Sequence, residues 1–220
     1  MALFSGEDLL CIRGERVVFE ALHFTIGAGG ALLLTGANGS GKSSLLRLMT
    51  GLLAPASGRI AWDGEDTSED PERHNARMHY VGHLDPVKPM LTVAENLRFW
   101  AGLKTGNGAV AGAALEAFGI AHLSAVPGRY LSAGQKRRLN LARLEASPAP
   151  LWLLDEPTAA LDAEAVDGLR DAIGRHRSAG GMVVLSTHAE MGLDGAQVLD
   201  LGDFGAATQA TAAGRREERP

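Results

Sequence analysis

The chain contains the stretch Gly36-Ala37-Asn38-Gly39-Ser40-Gly41-Lys42-Ser43, which matches the pattern GxxxxGK[ST]. The apolar run at residues 31–34 precedes it and predicts a buried strand. Leucine and methionine residues recur at helical spacing after it, over residues 45–52, and predict an amphipathic helix. Glycines between a strand and a helix let backbone N–H groups approach an anion, and the helix dipole favours negative charge there. The stretch therefore predicts a phosphate-binding loop.

The polar side chains of this loop have separate predicted roles. Lys42 is expected to reach the β- and γ-phosphates of a nucleoside triphosphate, and Ser43 to bind Mg²⁺. The alternative is a glycine-rich turn with a surface lysine, which the flanking strand and helix disfavour. The predicted nucleotide-binding residues of the loop are Gly36, Ala37, Asn38, Gly39, Ser40, Gly41, Lys42, Ser43 and Ser44.

A second apolar run, at residues 151–154, ends in the triplet Asp155-Glu156-Pro157. A buried strand of this kind delivers both carboxylates at its carboxyl end. Asp155 is expected to hold the water shell of Mg²⁺, and Glu156 to act as the general base that polarises an attacking water. The alternative is a plain acidic turn, which the phosphate-binding loop makes improbable.

The segment Tyr130-Leu131-Ser132-Ala133-Gly134-Gln135 opens a predicted helix that continues to Leu144. A serine hydroxyl and a flexible glycine at the amino end of a helix form a second anion-binding end. A nucleotide held by both ends would be sandwiched between them. Taken alone, the same residues are also explained by a serine that caps the helix.

Strand and helix patterns alternate along the chain, which predicts an α/β fold with a mainly parallel sheet and a helical insertion. Short strands are expected at residues 12–24, before the loop. Residues 205–220 are rich in alanine, threonine and charge, and predict a flexible tail. We predict one domain over 1–204, with 1–84 and 150–204 as its core and 85–149 as the helical insertion.

Composition excludes several classes of protein. The net charge is −5 with a pI of about 5.8, which argues against general nucleic-acid binding. The single cysteine allows neither a disulfide within the chain nor a cysteine zinc site. No run approaches the roughly 18 apolar residues that cross a bilayer. We therefore expect a soluble chain that is held at any membrane by another protein.

Five ordered motifs resemble the nucleotide-binding domain of ABC transporters: residues 36–43, 131–135, 153–157, 160–162 and 186–188. The resemblance implies a RecA-like P-loop fold with antiparallel strands at its amino end, and ATP with Mg²⁺ as cofactors. It also implies that His188 contacts the γ-phosphate and that Asp162 crosses between two subunits. In this family Ser132, Gly134 and Gln135 cap the nucleotide on a partner's P-loop. Two copies would thus pair head to tail and drive membrane subunits.

The chain departs from this family at two positions. His83 stands where members usually carry a glutamine that contacts Mg²⁺ or the attacking water, so His83 is a candidate catalytic residue. The alternative is that His83 is structural and the coupling element lies a few positions away. Arg13 stands nearest to where an aromatic residue often stacks on adenine. A guanidinium can stack on a base, so Arg13 is a candidate base contact and predicts weak selectivity for adenine.

Further stretches resemble the haem exporter ATP-binding subunit of bacterial c-type cytochrome maturation: residues 82–83, 88–92, 95–100, 130–138 and 141–144. That resemblance implies a peripheral subunit at the cytoplasmic face of the inner membrane, which works with separate membrane subunits. An exporter subunit for a lipid or drug remains open, as does a soluble ABC ATPase of metal-cluster assembly. A nucleotide-gated clamp with negligible turnover is a further alternative, but Glu156 and His188 favour an enzyme.

The remaining polar clusters are interpreted as structural. His74, His79 and His83 are spaced unsuitably for a shared haem or metal site, and His74 is expected to be solvated in a polar loop at 63–75. Basic residues that include Lys136 and Arg137 form one face of the helix after Gln135. We expect this face to be solvated or paired with nearby carboxylates, and the alternative is that it stabilises the segment at 131–135. Arg138 and Arg143 complete that face.

Overall fold

The computed structural model describes residues 2–105, 111–187 and 190–205. His188 and most of the predicted tail at 205–220 lie outside these residues. The strands are β1 (Leu3–Arg13), β2 (Arg16–Gly27), β3 (Ala31–Thr35), β4 (Ser57–Trp62), β5 (Glu65–Asp66), β6 (Met78–Val81), β7 (Leu151–Asp155), β8 (Met182–Ser186) and β9 (Gln197–Asp200). The helices are α1 (Lys42–Met49), α2 (Pro71–Ala76), α3 (Val93–Thr105), α4 (Ala111–Ala117), α5 (Ala133–Ala146) and α6 (Ala163–Ser178).

A parallel sheet with the strand order β6-β7-β8-β3-β9 forms the centre of the described chain. Its inner strands β7 and β8 are buried along their whole length, which explains why they consist almost entirely of apolar residues. The register pairs Asp155 of β7 with Ser186 of β8, and Leu34 of β3 with the same Ser186. The carboxyl ends of these strands therefore meet at one edge, where parallel sheets bind ligands.

The two faces of the parallel sheet pack into different cores. Leu151 and Leu153 of β7 join a core with α1 and the antiparallel sheet β2-β1-β4-β5. Trp152 and Leu154, which point to the opposite face, join a core with α3, α4, α5 and α6. The phosphate-binding loop and the segment at 131–135 thus belong to different layers of the molecule.

The structure corrects the predicted loop at 63–75, because this segment contains β5 and α2. Asp70 caps α2 by accepting a hydrogen bond from the Arg73 backbone N–H at 2.9 Å, and Pro71 occupies the first turn. Strand β1 also begins at Leu3, well before the predicted strands at 12–24, and β9 was not predicted. The proposed boundaries of the helical insertion stay a prediction, with α3, α4 and α5 inside 85–149.

Candidate functional site

The loop between β3 and α1 has a backbone that requires glycine. Gly41 has φ 112°, and a Cβ atom there would lie 2.6 Å from Val18 Cγ1 of β2. Gly36 has φ 123°, and a Cβ atom there would lie 2.8 Å from Ser40 Oγ. Both positions combine the left-handed region with close packing, so any side chain would deform the loop.

The polar groups at this loop could serve a bound anion. Helix α1 has Gly41 as its N-cap with no side-chain hydrogen bond, which leaves N–H groups of its first turn for another acceptor. Ser40 Oγ is buried and has no hydrogen-bond partner within the described chain. Lys42 is 8% exposed, and its Nζ donates to its own loop at Gly36 O (2.7 Å) and Ala37 O (3.2 Å). These donors suit an anion such as a phosphate.

Asp155 lies beside the start of α1, at the end of β7. Its Oδ1 accepts hydrogen bonds from Ser43 Oγ at 3.1 Å and from Ser186 Oγ at 2.8 Å. The residue is 3% exposed. Carboxylate and hydroxyl oxygens are the ligand types that Mg²⁺ prefers, together with water and phosphate oxygens. Ser43 and Asp155 therefore fit the predicted metal-binding role.

Glu156 occupies an unusual backbone conformation with φ 47°. Its backbone N–H donates to Ser186 O at 2.9 Å and to Ser186 Oγ at 3.2 Å. A non-glycine residue in the left-handed region costs about 1–3 kcal/mol and persists where its surroundings enforce it. Such strain is typical of functional sites, and here it occurs directly after β7, at the edge of the sheet.

These elements enclose a cavity of ≈ 370 Å³. It brings together most of the residues predicted from the loop with Asp155, Glu156 and Arg13. Arg16 and Val18 of β2 also line it, although neither was predicted to do so. Arg13 and Arg16 are cross-strand partners in the β1–β2 hairpin, so the pairing register is the signal that places both at the cavity. The lining residues are Arg13, Arg16, Val18, Asn38, Gly39, Gly41, Lys42, Ser43, Ser44, Asp155 and Glu156.

The predicted second anion-binding end lies in a different cavity, of ≈ 680 Å³. Ser132 Oγ accepts from the Gln135 N–H at 3.2 Å and Gln135 Oε1 accepts from the Ser132 N–H at 2.8 Å, which is a capping box. Gly134 and Asp162 line the same cavity. None of these residues lines the cavity at the phosphate-binding loop, so one chain does not bring the two predicted ends together.

Asp162 has local partners in the single chain. Its Oδ1 accepts from the Ala165 backbone N–H at 3.0 Å, which caps α6. Arg138 Nη2 donates to Asp162 Oδ1 at 2.6 Å and to Oδ2 at 2.5 Å. The hydrogen bond from Ala165 and the contact with Arg138 lower the pKa of Asp162. Asp162 is therefore held as a charged group beside the second cavity.

The structure leaves the roles of two predicted catalytic residues, His83 and His188, untested. His83 follows β6, is exposed, and is not among the residues that line the cavity at the phosphate-binding loop. His188 lies outside the described residues, two positions after the end of β8. The roles of both stay predictions.

The structure corrects the expectation that His74 is solvated. His74 is 3% exposed, and its Nε2 forms a 2.8 Å hydrogen bond with Met49 O. Burial lowers the pKa of His74. His79 is also buried, with Nε2 at 2.8 Å from Ser147 O, and burial lowers the pKa of His79 to about 4. Both histidines are interior groups that bridge separate elements.

The basic face predicted for α5 is not uniformly solvated. Arg137 is 3% exposed, and its guanidinium donates hydrogen bonds to the backbone carbonyls of Asp155 and Glu156. Arg138 pairs with Asp162, in agreement with the predicted pairing of this face with nearby carboxylates. Arg137 was not predicted as part of the site, because its partners are at least 18 residues away in the chain.

Comparison with known families identifies this arrangement. A family model described as "ABC transporter" matches residues 19–159, which include the phosphate-binding loop, Ser132 and Glu156. The chain belongs to the ABC transporter family. Solved structures of ABC proteins share its fold, which confirms the predicted P-loop α/β class. A putative ABC transporter ATP-binding protein from Pyrococcus furiosus superposes with a TM-score of 0.80 at 24% identity, over 93% of this chain and all (100%) of that one.

A second solved structure, the ATP-binding subunit of an ABC transporter, has a TM-score of 0.76 at 26% identity, over 84% of this chain and 79% of that one. Within the ABC family, curated relatives named "Cytochrome c biogenesis ATP-binding export protein CcmA" are much more similar. The one from Paramagnetospirillum magneticum is 60% identical over 94% of this ABC chain and 97% of its own length. The one from Rhodospirillum rubrum is 60% identical over 92% and 87%. This ABC chain therefore belongs among these export proteins.

Proposed function

We propose that the chain is the ATP-binding and ATP-hydrolysing subunit of a membrane ABC complex that serves c-type cytochrome biogenesis as its haem exporter. One structural observation carries the ATPase activity: Lys42, the Ser43–Asp155 pair and Glu156 line one cavity. Relatives at 60% identity bear the name of cytochrome c biogenesis export proteins, which favours this role over export of a lipid or drug. It also favours this role over metal-cluster assembly.

The loop and Asp155 are proposed to bind Mg²⁺ and the triphosphate of ATP. The uncapped first turn of α1, the buried Ser40 hydroxyl and Lys42 offer donors for phosphate oxygens. The chain's own ligands for Mg²⁺ would be Ser43 and Asp155. When bound, Mg²⁺ neutralises charge on the β- and γ-phosphate oxygens. Lys42 would exchange its bonds to loop carbonyls for bonds to the phosphates.

Glu156 is proposed to be the general base for hydrolysis. Its carboxylate would accept a proton from a water molecule, the water oxygen would bond to the γ-phosphorus, and the bond from that phosphorus to the bridging oxygen would break. The products are ADP and inorganic phosphate. His188 is proposed to contact the γ-phosphate. His83 is proposed to orient the attacking water or to couple the nucleotide site to a membrane subunit. Neutral imidazole can donate or accept a hydrogen bond in either role.

A second copy of the chain is proposed to complete each site. Ser132 and Gly134 lie in a cavity that shares no lining residue with the phosphate-binding loop of the same chain. The amino end of α5 nevertheless offers N–H groups that suit a phosphate. Head-to-tail pairing would bring the Ser132 end of each copy to the nucleotide of the other, with Asp162 at the junction.

Membrane subunits are the other proposed partners. No helix in the described ranges is long and apolar enough to cross a membrane. The segment at 84–103 exposes Leu84, Met90, Phe99 and Leu103, and such apolar groups suit a protein partner. We place the chain at the cytoplasmic face of the inner membrane, as a peripheral subunit bound through this segment.

Glu156→Gln tests the catalytic assignment, because the amide keeps the shape of the side chain but cannot act as a base. We expect ATP binding to persist, hydrolysis to fall by about 100-fold or more, and an ATP-bound dimer to accumulate in gel filtration. Lys42→Ala is the contrasting variant and should lose ATP affinity, measured by equilibrium dialysis. Hydrolysis by Glu156→Gln at the wild-type rate would contradict the assignment.

The cargo assignment has its own test. The tagged chain would be recovered from native membranes in mild detergent, and its membrane partners identified by mass spectrometry. Recovery with a haem-chaperone maturation complex supports the proposed role. Recovery with a lipid or drug permease contradicts it but leaves the ATPase assignment intact.

A further inference from the structure

Arg137 donates several hydrogen bonds to the backbone of the segment that carries Asp155 and Glu156. It is 3% exposed on α5. Its Nη2 donates to Asp155 O at 3.0 Å and to Glu156 O at 2.6 Å, and its Nε donates to Pro157 O at 3.1 Å. One guanidinium therefore holds the carbonyls of three consecutive residues, at the point where β7 ends and the catalytic turn begins.

The remaining nitrogen of Arg137 reaches the segment after β6. Nη1 donates to Gly82 O at 2.7 Å and to Asp85 Oδ1 at 3.1 Å. Asp85 Oδ1 also accepts from Asn140 Nδ2 at 2.8 Å, one turn further along α5. Arg137 thus joins α5, the segment at 82–85 and the turn at 155–157 in one frame. His83 lies within that segment.

Only arginine can make this frame. A guanidinium has five N–H donors in a fixed plane, and five acceptors meet those of Arg137. Lysine has three donors on one nitrogen and cannot reach acceptors on opposite sides. The carboxylate of Asp85 and the four backbone carbonyls together compensate for burying this charge, so the frame depends on all of them.

The frame acts where the backbone is strained. Glu156 has φ 47°, a conformation that needs its surroundings to hold it. The 2.6 Å bond from Arg137 to Glu156 O is one such restraint. We propose that Arg137 is a positioning residue for hydrolysis. It fixes the orientation of the Glu156 carboxylate and links that orientation to the positions of α5 and of the segment at 82–85. This inference rests on the proposed role of Glu156 as the base.

Arg137→Lys tests the proposal in the full chain, within the complex recovered from native membranes. We expect kcat to fall about 30- to 100-fold, because small displacements of a catalytic group have effects of this size. KM and the Kd for ATP should stay within about 3-fold of wild type, because Arg137 does not line the nucleotide cavity. Arg59→Lys is the matched control: Arg59 pairs with Glu7 at the surface and should tolerate lysine.

A second comparison separates positioning from a general structural role. In the Glu156→Gln background, Arg137→Lys should cause no further loss of residual hydrolysis, because a residue that acts through Glu156 has nothing left to position. An equal loss in both backgrounds would overturn the proposal. So would a wild-type kcat in Arg137→Lys, or a rise in KM and Kd that accounts for the whole effect.

Asp85→Asn covers the case in which Arg137→Lys does not fold. It weakens the same frame from its far end while keeping an acceptor for Arg137 and Asn140. We expect a several-fold lower kcat with an unchanged Kd, and a wild-type kcat would overturn the proposal.

The failure of this inference can be distinguished from the failure of the proposed function. If Glu156→Gln hydrolyses ATP at the wild-type rate, the proposed base is wrong. If Glu156→Gln is inactive and Arg137→Lys has a wild-type kcat, only the inference about Arg137 is refuted.

Discussion

Gly134 offers a quantitative test of how the amino end of α5 is seated. A Cβ atom at Gly134 would lie 2.8 Å from Ala160 O, which is a backbone atom that cannot move aside alone. Gly134→Ala therefore forces the start of α5 away from residue 160 by about 0.5 Å. Overpacking of this kind lowers the free energy of unfolding by about 1–3 kcal/mol, and the higher helix propensity of alanine offsets up to about 1 kcal/mol of this loss.

Gly174 is the matched control in α6. It is exposed, and a Cβ atom there meets nothing within 4 Å. Gly174→Ala should raise the free energy of unfolding by about 0.5–1 kcal/mol, whereas Gly134→Ala should lower it by up to about 2 kcal/mol. Urea unfolding at pH 7 measures both. The displaced helix end should also lower kcat by about 10-fold in Gly134→Ala alone.

Gly134→Ala and Gly174→Ala are thus expected to change the free energy of unfolding in opposite directions. If Gly134→Ala is as stable as Gly174→Ala and hydrolyses ATP at the wild-type rate, the close contact with Ala160 does not restrict the helix. The account of the second cavity would then be wrong in its geometry.

Two further predictions concern the pH dependence of stability and the selectivity for the nucleotide base. Because His79 has a pKa of about 4 when folded and about 6.5 when unfolded, the unfolded chain binds the extra proton between these values, and stability should fall as the pH drops through this window. We expect a loss of about 2 kcal/mol from this group between pH 7 and pH 5 in urea unfolding; His79→Gln should lack it, and an equal loss in the variant would refute the assignment. Arg13 and Arg16 line the cavity, and none of the described residues that line it is aromatic. Competition binding should therefore show ATP and GTP within about 10-fold of each other, and Arg13→Ala should weaken both. Strong preference for ATP would contradict this.

The parts of the site that were predictable are those encoded over short distances. Strand, glycine loop and helix follow one another around Lys42, so local spacing and polarity suffice to place them. The same holds for Asp155, which directly follows an apolar strand, and for Ser132, whose capping partner Gln135 is three residues away. Their neighbours in space are also their neighbours in sequence.

The parts that were missed depend on distant partners. The sequence predicts that His74 is a loop residue, but its ring packs on Phe4 and forms a hydrogen bond with Met49 O. The sequence predicts that Arg137 is one charge on a basic face, but its hydrogen-bond acceptors belong to two other segments. Strand β9 is short and mostly exposed, and only its pairing with β3 makes it a strand. No local pattern reports such contacts.

The claim that each nucleotide is held by two copies of the chain is tested most directly by mixing two defective variants. Lys42→Ala removes the proposed contact with phosphate, and Gly134→Asp places a negative charge at the amino end of α5. Both would carry Glu156→Gln, so that bound ATP is retained rather than hydrolysed. In a head-to-tail dimer, a mixed pair has one site with both defects and one intact site.

ATP retained in the dimer fraction of gel filtration is the quantity to measure. Random pairing of equal amounts gives half mixed dimers with one intact site each, so the mixture should retain about a quarter of the ATP held by Glu156→Gln alone. Retention no greater than the average of the two variants measured separately would show that each chain builds its site alone, and would contradict the account.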